Sequence, residues 1–499
     1  MTKRLLSILL VATMLISFVA CASSGDDGGK KPVTTADSVD TVGNGIEYEK
    51  DDLPDSLNFN NENITILITE EQNGGGLHAG EILADELNSD VINDSIYNRE
   101  RYVEDRLGVE ILPAKVAQSS YNNEVNKQIN SDDDIYQIYA AKTVWFAPFV
   151  FDNILTDLYT VDYLDLEKPW WSQYFSEKAE VKDNLYLATG SLSLSLTRFL
   201  FVMFYNKVLA ENYVSNYPEL GDLYTVVENG DWTYDKFYSL SSGIYRDVNG
   251  STTRDDEDVY GVGYMRGIAI DAMWSGFDIT IFSRTDDGWF ELDVNEDKLY
   301  NSLERIRVLL HETEGCYVPE KDSDDMLDTV AQKFADGSLL FMVNKMHAAE
   351  GVTLRNMQDE YGIIPYPKYD SKQDGYYSFA HDQYLSFSIP RTNPNPDVAG
   401  AVLEAMASYS YRETNPSYFD IALKGKYMND PQSRRMVDMI VSGFKLDSAC
   451  IYAVTLKSLI GTFRTAVGDN SKAFSSTYIS EKKNIELKLR LLDKLFVPE

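Results

Sequence analysis

The residues best suited to chemistry are few and scattered. His78, His311, His347 and His381 show no metal-ligand spacing. There is no HExxH zinc helix, no GxSxG nucleophile elbow and no GxxxxGK(S/T) phosphate loop. Gly261-Val262-Gly263, followed by Gly267, is one residue off a dinucleotide fingerprint. It follows no strand-to-helix step, so a turn or strand edge is expected there. Asp247, Asn249, Ser251 and Asp258 have the outline of a calcium loop. Thr252 stands where such a loop needs glycine, and Asp258 replaces its closing glutamate, so a solvated hairpin is expected instead. Glycoside hydrolysis needs only two well-placed carboxylates, and 79 acidic residues leave that chemistry open. No enzymatic activity, cofactor or metal is expected.

Cys21 is the residue whose setting is most specific. Lys3 and Arg4 precede an apolar stretch from Leu5 to Val19, which ends in Phe18-Val19-Ala20-Cys21. A short positive region, a short apolar stretch and a processing site make a secretory signal rather than a spanning helix. Ala20-Cys21 resembles the end of a bacterial lipobox, so cleavage after Ala20 and lipidation of Cys21 are expected. Residues 22–52 are rich in Ser, Gly, Asp, Lys and Thr and lack apolar periodicity, which suits a flexible tether. The expected location is the extracellular face of the cell membrane, reached through the lipid anchor. Loss of Lys3 and Arg4 takes the formal charge from −34 to −36. A surface that acidic repels nucleic acid. After processing, Cys316 and Cys450 remain, either as a disulfide or as two buried thiols.

Positioning any ligand-binding group falls to the elements between these landmarks. Ile64 to Ile68 reads as a buried strand, ending in a polar loop with Asn73-Gly74-Gly75-Gly76. A helix follows near Asp94, its expected N-cap, with Ile96, Val103 and Leu107 on one side and Gly108 as its stop. Strands are expected at 109–112, 135–139, 185–188 and 199–206. Helices are expected at 297–312, 397–411 and 480–496. Strand, helix and parallel strand in succession indicate an α/β chain. At 499 residues, two lobes are the natural organisation. Aromatic residues make up 12% of the chain, including 33 tyrosines, enough for both core packing and sugar-stacking surfaces.

Five segments, in order, resemble the extracellular solute-binding proteins that feed ABC importers, in particular their family 1 sugar-binding class. Phe204-Tyr205-Asn206-Lys207-Val208-Leu209 is similar to that family's YNKxL step. Gly230 to Phe237 resembles its WTWDDF helix start, and Asp258 to Gly263 its YGFG strand. Phe334 to Met342 is similar to F..GKAAM, and Tyr361 to Pro367 to G..PLP. The resemblance spans about residues 60–425; the segments from Pro169-Trp170-Trp171 onward and from Tyr376 to Pro390 depart from it. Trp232, Gly337, Pro365 and Pro367 read as structural members of these motifs.

The resemblance implies a two-lobe α/β fold with a hinge and an interlobe cleft. Residues 1–20 are then the signal peptide, 21–58 the tether, 59–196 the first part of lobe 1 and 197–355 lobe 2. Residues 356–415 return to lobe 1, and 416–499 form a C-terminal helical part assigned to lobe 2. Ligands in such sheets lie beyond the carboxyl ends of strands. That rule selects Glu70, Gln72, Asn73, Trp145, Ser191, Trp274, Asp382 and Tyr384 as candidate contacts. The implied function is capture of a carbohydrate, an oligosaccharide, and its delivery to ABC transporter permease subunits by a monomeric lipoprotein. A lipid-anchored glycan hydrolase and a surface glycan-capture protein are the alternatives.

Overall fold

A computed structural model describes residues 48–70, 78–319, 326–419, 431–456, 459–471 and 473–496. Cys21, the signal segment, the tether up to Glu47, and Gln72 and Asn73 lie outside the described residues. Among the described residues twelve strands run in chain order: β1 (Glu62–Thr69), β2 (Val109–Val116), β3 (Ile138–Lys142), β4 (Phe201–Asn206), β5 (Tyr245–Arg246) and β6 (Val259–Gly263). They continue as β7 (Phe282–Arg284), β8 (Phe290–Leu292), β9 (Cys316–Tyr317), β10 (Leu339–Lys345), β11 (Tyr361–Ile364) and β12 (Leu385–Ser388).

Two sheets carry the fold. The first has the order β12-β3-β1-β2, with β1 parallel to both β2 and β3, and β12 antiparallel to β3. Ile64, Ile66, Leu67 and Ile68 of β1 are all buried, as a parallel strand covered on both faces requires. The second sheet has the order β11-β4-β10-β6-β5, with β9 beside β6. Here β10 and β6 are parallel, while β4 runs antiparallel to β10 and β11. β7 and β8 form a separate hairpin. Among the described residues no helix is long and apolar enough to cross a membrane.

Local chemistry explains where the sequence expectations shift. Helix Val91–Leu107 starts three residues before Asp94, because Asp90 is the N-cap and accepts from the Ile92 and Asn93 amides at 3.0 Å. Asp94 instead accepts from the Asn88 amide at 2.9 Å. Gly108 ends the helix in the left-handed conformation, as expected. The strand expected at 185–188 reduces to one bridge, Ala188 to Phe387, since Asp157 captures the Leu185 amide at 3.0 Å. Gly261 and Gly263 lie within β6. A Cβ on Gly261 would sit 1.9 Å from the Ser241 carbonyl oxygen, so close packing requires this glycine. In the 247–258 loop, Asp247 accepts from the Gly250 and Thr252 amides, and Asp258 from the Val248 and Asp255 amides. Cys316 and Cys450 are buried and form no disulfide.

The motif tryptophan is a core residue. Trp232 is fully buried, donates its indole N–H to the Pro365 carbonyl at 2.9 Å and packs on Phe237 and Phe341. Thr233 caps the following helix, Tyr234–Ser241. At the other end of the described chain, Asp51 and Leu53 are already packed. Arg106 pairs with Asp51 at 2.6 Å and donates to the Leu53 carbonyl at 3.1 Å. Composition alone places these two residues in the tether.

A second buried network joins distant parts of the chain. Glu81, on helix His78–Ile82, accepts from the Ser195 amide at 2.6 Å and the Ser195 hydroxyl at 2.8 Å. Arg99 donates to the Glu81 and Ile82 carbonyls and to the Ser410 hydroxyl. Burial pushes the Glu81 carboxyl up to about 7, although the Ser195 bonds and the Arg198 and Arg99 charges oppose the shift.

Two outcomes follow from this packing. Trp232→Ala leaves a large cavity and an unpaired carbonyl, and is expected to cost about 3–5 kcal/mol in urea denaturation. Glu81 binds its proton more tightly folded than unfolded. Its contribution is therefore complete below pH 4.5 and is lost as pH rises towards about 7. Glu81→Gln, which cannot ionise, is expected to flatten the fall in stability across that window, measured as denaturation midpoint against pH.

Candidate functional site

The strand ends of both sheets converge where the chain crosses between them. β1 ends at Thr69 and β3 at Lys142, and β12 begins at Leu385 directly opposite Lys142. In the second sheet β10 ends at Lys345, opposite Phe201 at the start of β4. Three segments cross from one sheet to the other side by side. The Phe201 amide donates to the Phe379 carbonyl at 2.8 Å, and the His381 amide to the Phe199 carbonyl at 2.9 Å. On the far side, the Ser378 amide donates to the Gly443 carbonyl at 2.8 Å, and the Lys445 amide to the Ser378 carbonyl at 3.1 Å. These crossing segments are the hinge, and the strand ends beyond them form the cleft.

A charged cluster occupies this convergence. Lys142 closes β3 and Lys345 closes β10. Arg464, on helix Leu459–Gly468, grips Asp271 through two nitrogens. His381 Nε2 lies 3.4 Å from Asp382 Oδ1, and its ring packs edge-on against Phe199 and Phe201. The Lys345 ammonium lies 4.9 Å from the centre of the Phe199 ring. Burial, and then Lys345, Arg464 and Lys142, push the His381 imidazole well below its ordinary range. Burial, Lys345 and Arg198 lower His347 to about 3. Both rings are therefore neutral at physiological pH. Burial raises the Asp382 carboxyl, against the pull of Arg464, Lys142 and Lys345.

One aromatic side chain faces solvent beside these groups. Helix Thr143–Phe146 follows β3 directly; Thr143, Val144 and Phe146 are buried, whereas Trp145 is 49% exposed. Thr143 anchors this turn by donating its amide and hydroxyl to the Tyr384 carbonyl, at 3.0 and 3.1 Å.

The sequence candidates divide by position. Trp145 and Asp382 lie at the converging strand ends, and Glu70 is exposed immediately after β1. Tyr384 is buried and packs against Phe175 and Phe444, with its carbonyl holding the Trp145 turn. Trp274 is buried against Phe463, and its indole N–H has no hydrogen-bond partner. Ser191 lines a different cavity of about 480 Å³, with Trp171, Tyr174, Tyr411, Phe419 and Phe444. Its amide donates to the Trp170 carbonyl at 2.8 Å. Pattern reading missed Lys142, Lys345, His381, Asp271 and Arg464. A signal existed for the lysines: each closes an otherwise apolar strand, IYAAK and LLFMVNK. Among the described residues, no group of three or more His, Cys, Asp or Glu side chains is placed to hold a metal ion.

No family profile matches the chain, and no curated protein matches it by sequence. Solved structures do match it. A family 1 extracellular solute-binding protein from Bifidobacterium longum subsp. infantis is 12% identical, over 85% of this chain and 100% of that one, with a TM-score of 0.52. A sugar transporter from Rhizobium etli, in an open conformation, is 13% identical over 86% and 99%, with a TM-score of 0.53. An ABC substrate-binding protein from Listeria monocytogenes, in complex with cycloalternan, is 11% identical over 87% and 98%, with a TM-score of 0.50. Likeness at such identities is a likeness of fold, and it extends over nearly the whole of each of those proteins. The chain has the α/β fold of the extracellular solute-binding proteins.

Proposed function

We propose that this protein is an extracellular solute-binding lipoprotein that captures a carbohydrate in its cleft and delivers it to an ABC importer. The observation that carries the reading is Trp145, a half-exposed indole on the turn that follows Lys142 at the end of β3, where the strand ends converge. An exposed aromatic face suits the C–H side of a sugar ring, and charged or amide groups around it suit the hydroxyls. The solved proteins that share the fold include sugar-binding members, which supports this ligand class. The Cys21 anchor holds the receptor near a fixed membrane partner and raises its effective concentration there.

The hinge supplies the mechanism. Ligand bound to groups from both sheets favours the closed arrangement by its extra contacts in that state. Calorimetry against a broad oligosaccharide panel is expected to find a ligand. Trp145→Ala is expected to weaken its binding by about tenfold or more, as loss of an aromatic contact worth about 1.4 kcal/mol implies. A wild-type protein that binds no member of the panel overturns the carbohydrate reading. Cys21→Ser is expected to move the protein from the membrane fraction to the medium. Retention of that variant in the membrane fraction overturns the anchor.

A further inference from the structure

The two lysines at the strand ends have an unusual environment. Lys142 is only 8% exposed. Lys345 is half-buried against the Phe199 ring. Neither ammonium makes a hydrogen bond or ion pair with any described residue. They come from different sheets, at β3 and β10, and lie within electrostatic reach of each other. The hinge brings them there: Lys345 packs on Phe199, Phe199 is bonded to His381, and Asp382 follows.

The neighbouring cations have direct partners. Arg464 is matched by Asp271. Arg198 is matched by Glu350. His381 and His347 are held neutral by burial and by these same cations. Among the described residues, Asp328 and Asp382 act on Lys345, and Asp382 acts on Lys142, without direct contact to either ammonium. Desolvated ammonium groups without partners are costly, and one oxyanion placed between them would satisfy both. Hydroxyl groups of a neutral sugar would complete the hydrogen bonds but leave the charge unmatched.

We propose that the cleft selects an acidic saccharide, whose carboxylate or sulfate ester sits between the Lys142 and Lys345 ammonium groups while a ring stacks on Trp145. This rests on the carbohydrate reading above and names its ligand class. The oxyanion bridges the two sheets, so it also rewards closure of the hinge.

The test is calorimetry of the full mature chain against uronate oligosaccharides, each paired with its carboxyl-reduced counterpart. Sulfated oligosaccharides and their desulfated forms make a second arm. The acidic member of a pair is expected to bind at least about thirtyfold more tightly than its neutral twin. Lys142→Met and Lys345→Met keep the aliphatic stem and remove the charge. Each is expected to erase most of that preference. Both variants are expected to melt at or above the wild-type temperature without ligand, because each removes an unmatched buried charge. Equal or tighter binding of the neutral twins overturns the acidic-ligand proposal and leaves the carbohydrate reading standing. A clear loss of melting temperature in both variants, with the preference intact, also overturns it. Binding by no saccharide of any kind overturns the carbohydrate reading itself. Preference confined to the carboxylate or the sulfate arm identifies the source of the oxyanion.

Discussion

The backbone hydrogen bonds that join the three crossing segments are the constraint on which the rest of the structure depends. Phe201 to Phe379, His381 to Phe199 and Ser378 to Gly443 tie together residues from three separated stretches of sequence. Each bond alone contributes only about 1 kcal/mol. Together they fix where one sheet stops and the other begins. Because β4 starts at Phe201 and β12 follows closely after His381, their register also sets where Lys345 and Lys142 end their strands. A shift of one residue in a crossing segment would reverse the faces that these side chains occupy. The cleft is thus a property of the crossing rather than of either sheet alone.

Around this crossing the chain buries more charge than packing requires. Glu81 and Arg99 hold the helix His78–Ile82 against Ser195 and Ser410. Arg198 and Glu350, with the Tyr418 hydroxyl at 2.7 Å, tie the helix before the crossing to the turn after β10. Trp171 donates to Glu404 at 2.8 Å within the first sheet's outer layer. Buried ion pairs add little net stability, but breaking one leaves an uncompensated charge. They therefore specify one arrangement of the chain. The lysines of the cleft differ from all of these in making no hydrogen bond or ion pair with a described residue.

Much of the fold was legible in the sequence, and the reasons are local. β1 is an apolar run followed by a polar loop, β2 opens on the expected strand 109–112, and helix Glu296–Glu312 shows its buried stripe directly. Gly108 ended its helix as its chemistry dictates. The site was legible in part. The strand-end rule reached the turn after β3 and the segment before β12, which puts Trp145 and Asp382 at the converging strand ends. It could not find Arg464, because nothing in a helix such as Leu459–Gly468 signals that Asp271 will face it. It could not separate Ser191 from the cleft either, since the bridge between Trp171 and Gly190 turns that loop towards another cavity. The N-terminal packing of Asp51 and Leu53 was hidden for the same reason. A polar stretch reads as a tether until Arg106, far along the chain, captures it.

The two buried thiols bear on how the protein matures. Burial pushes Cys316 up to about 12 and raises Cys450 as well, so neither presents a thiolate to an oxidant once the chain has folded. The body holds its shape without a covalent crosslink. In an oxidising compartment such a chain needs no oxidase or isomerase to reach its native form. The danger lies earlier, because an unfolded chain exposes both sulfurs at ordinary reactivity. Folding that outpaces oxidation protects the chain from wrong crosslinks, and a reductant added afterwards finds no bond between Cys316 and Cys450 to cut.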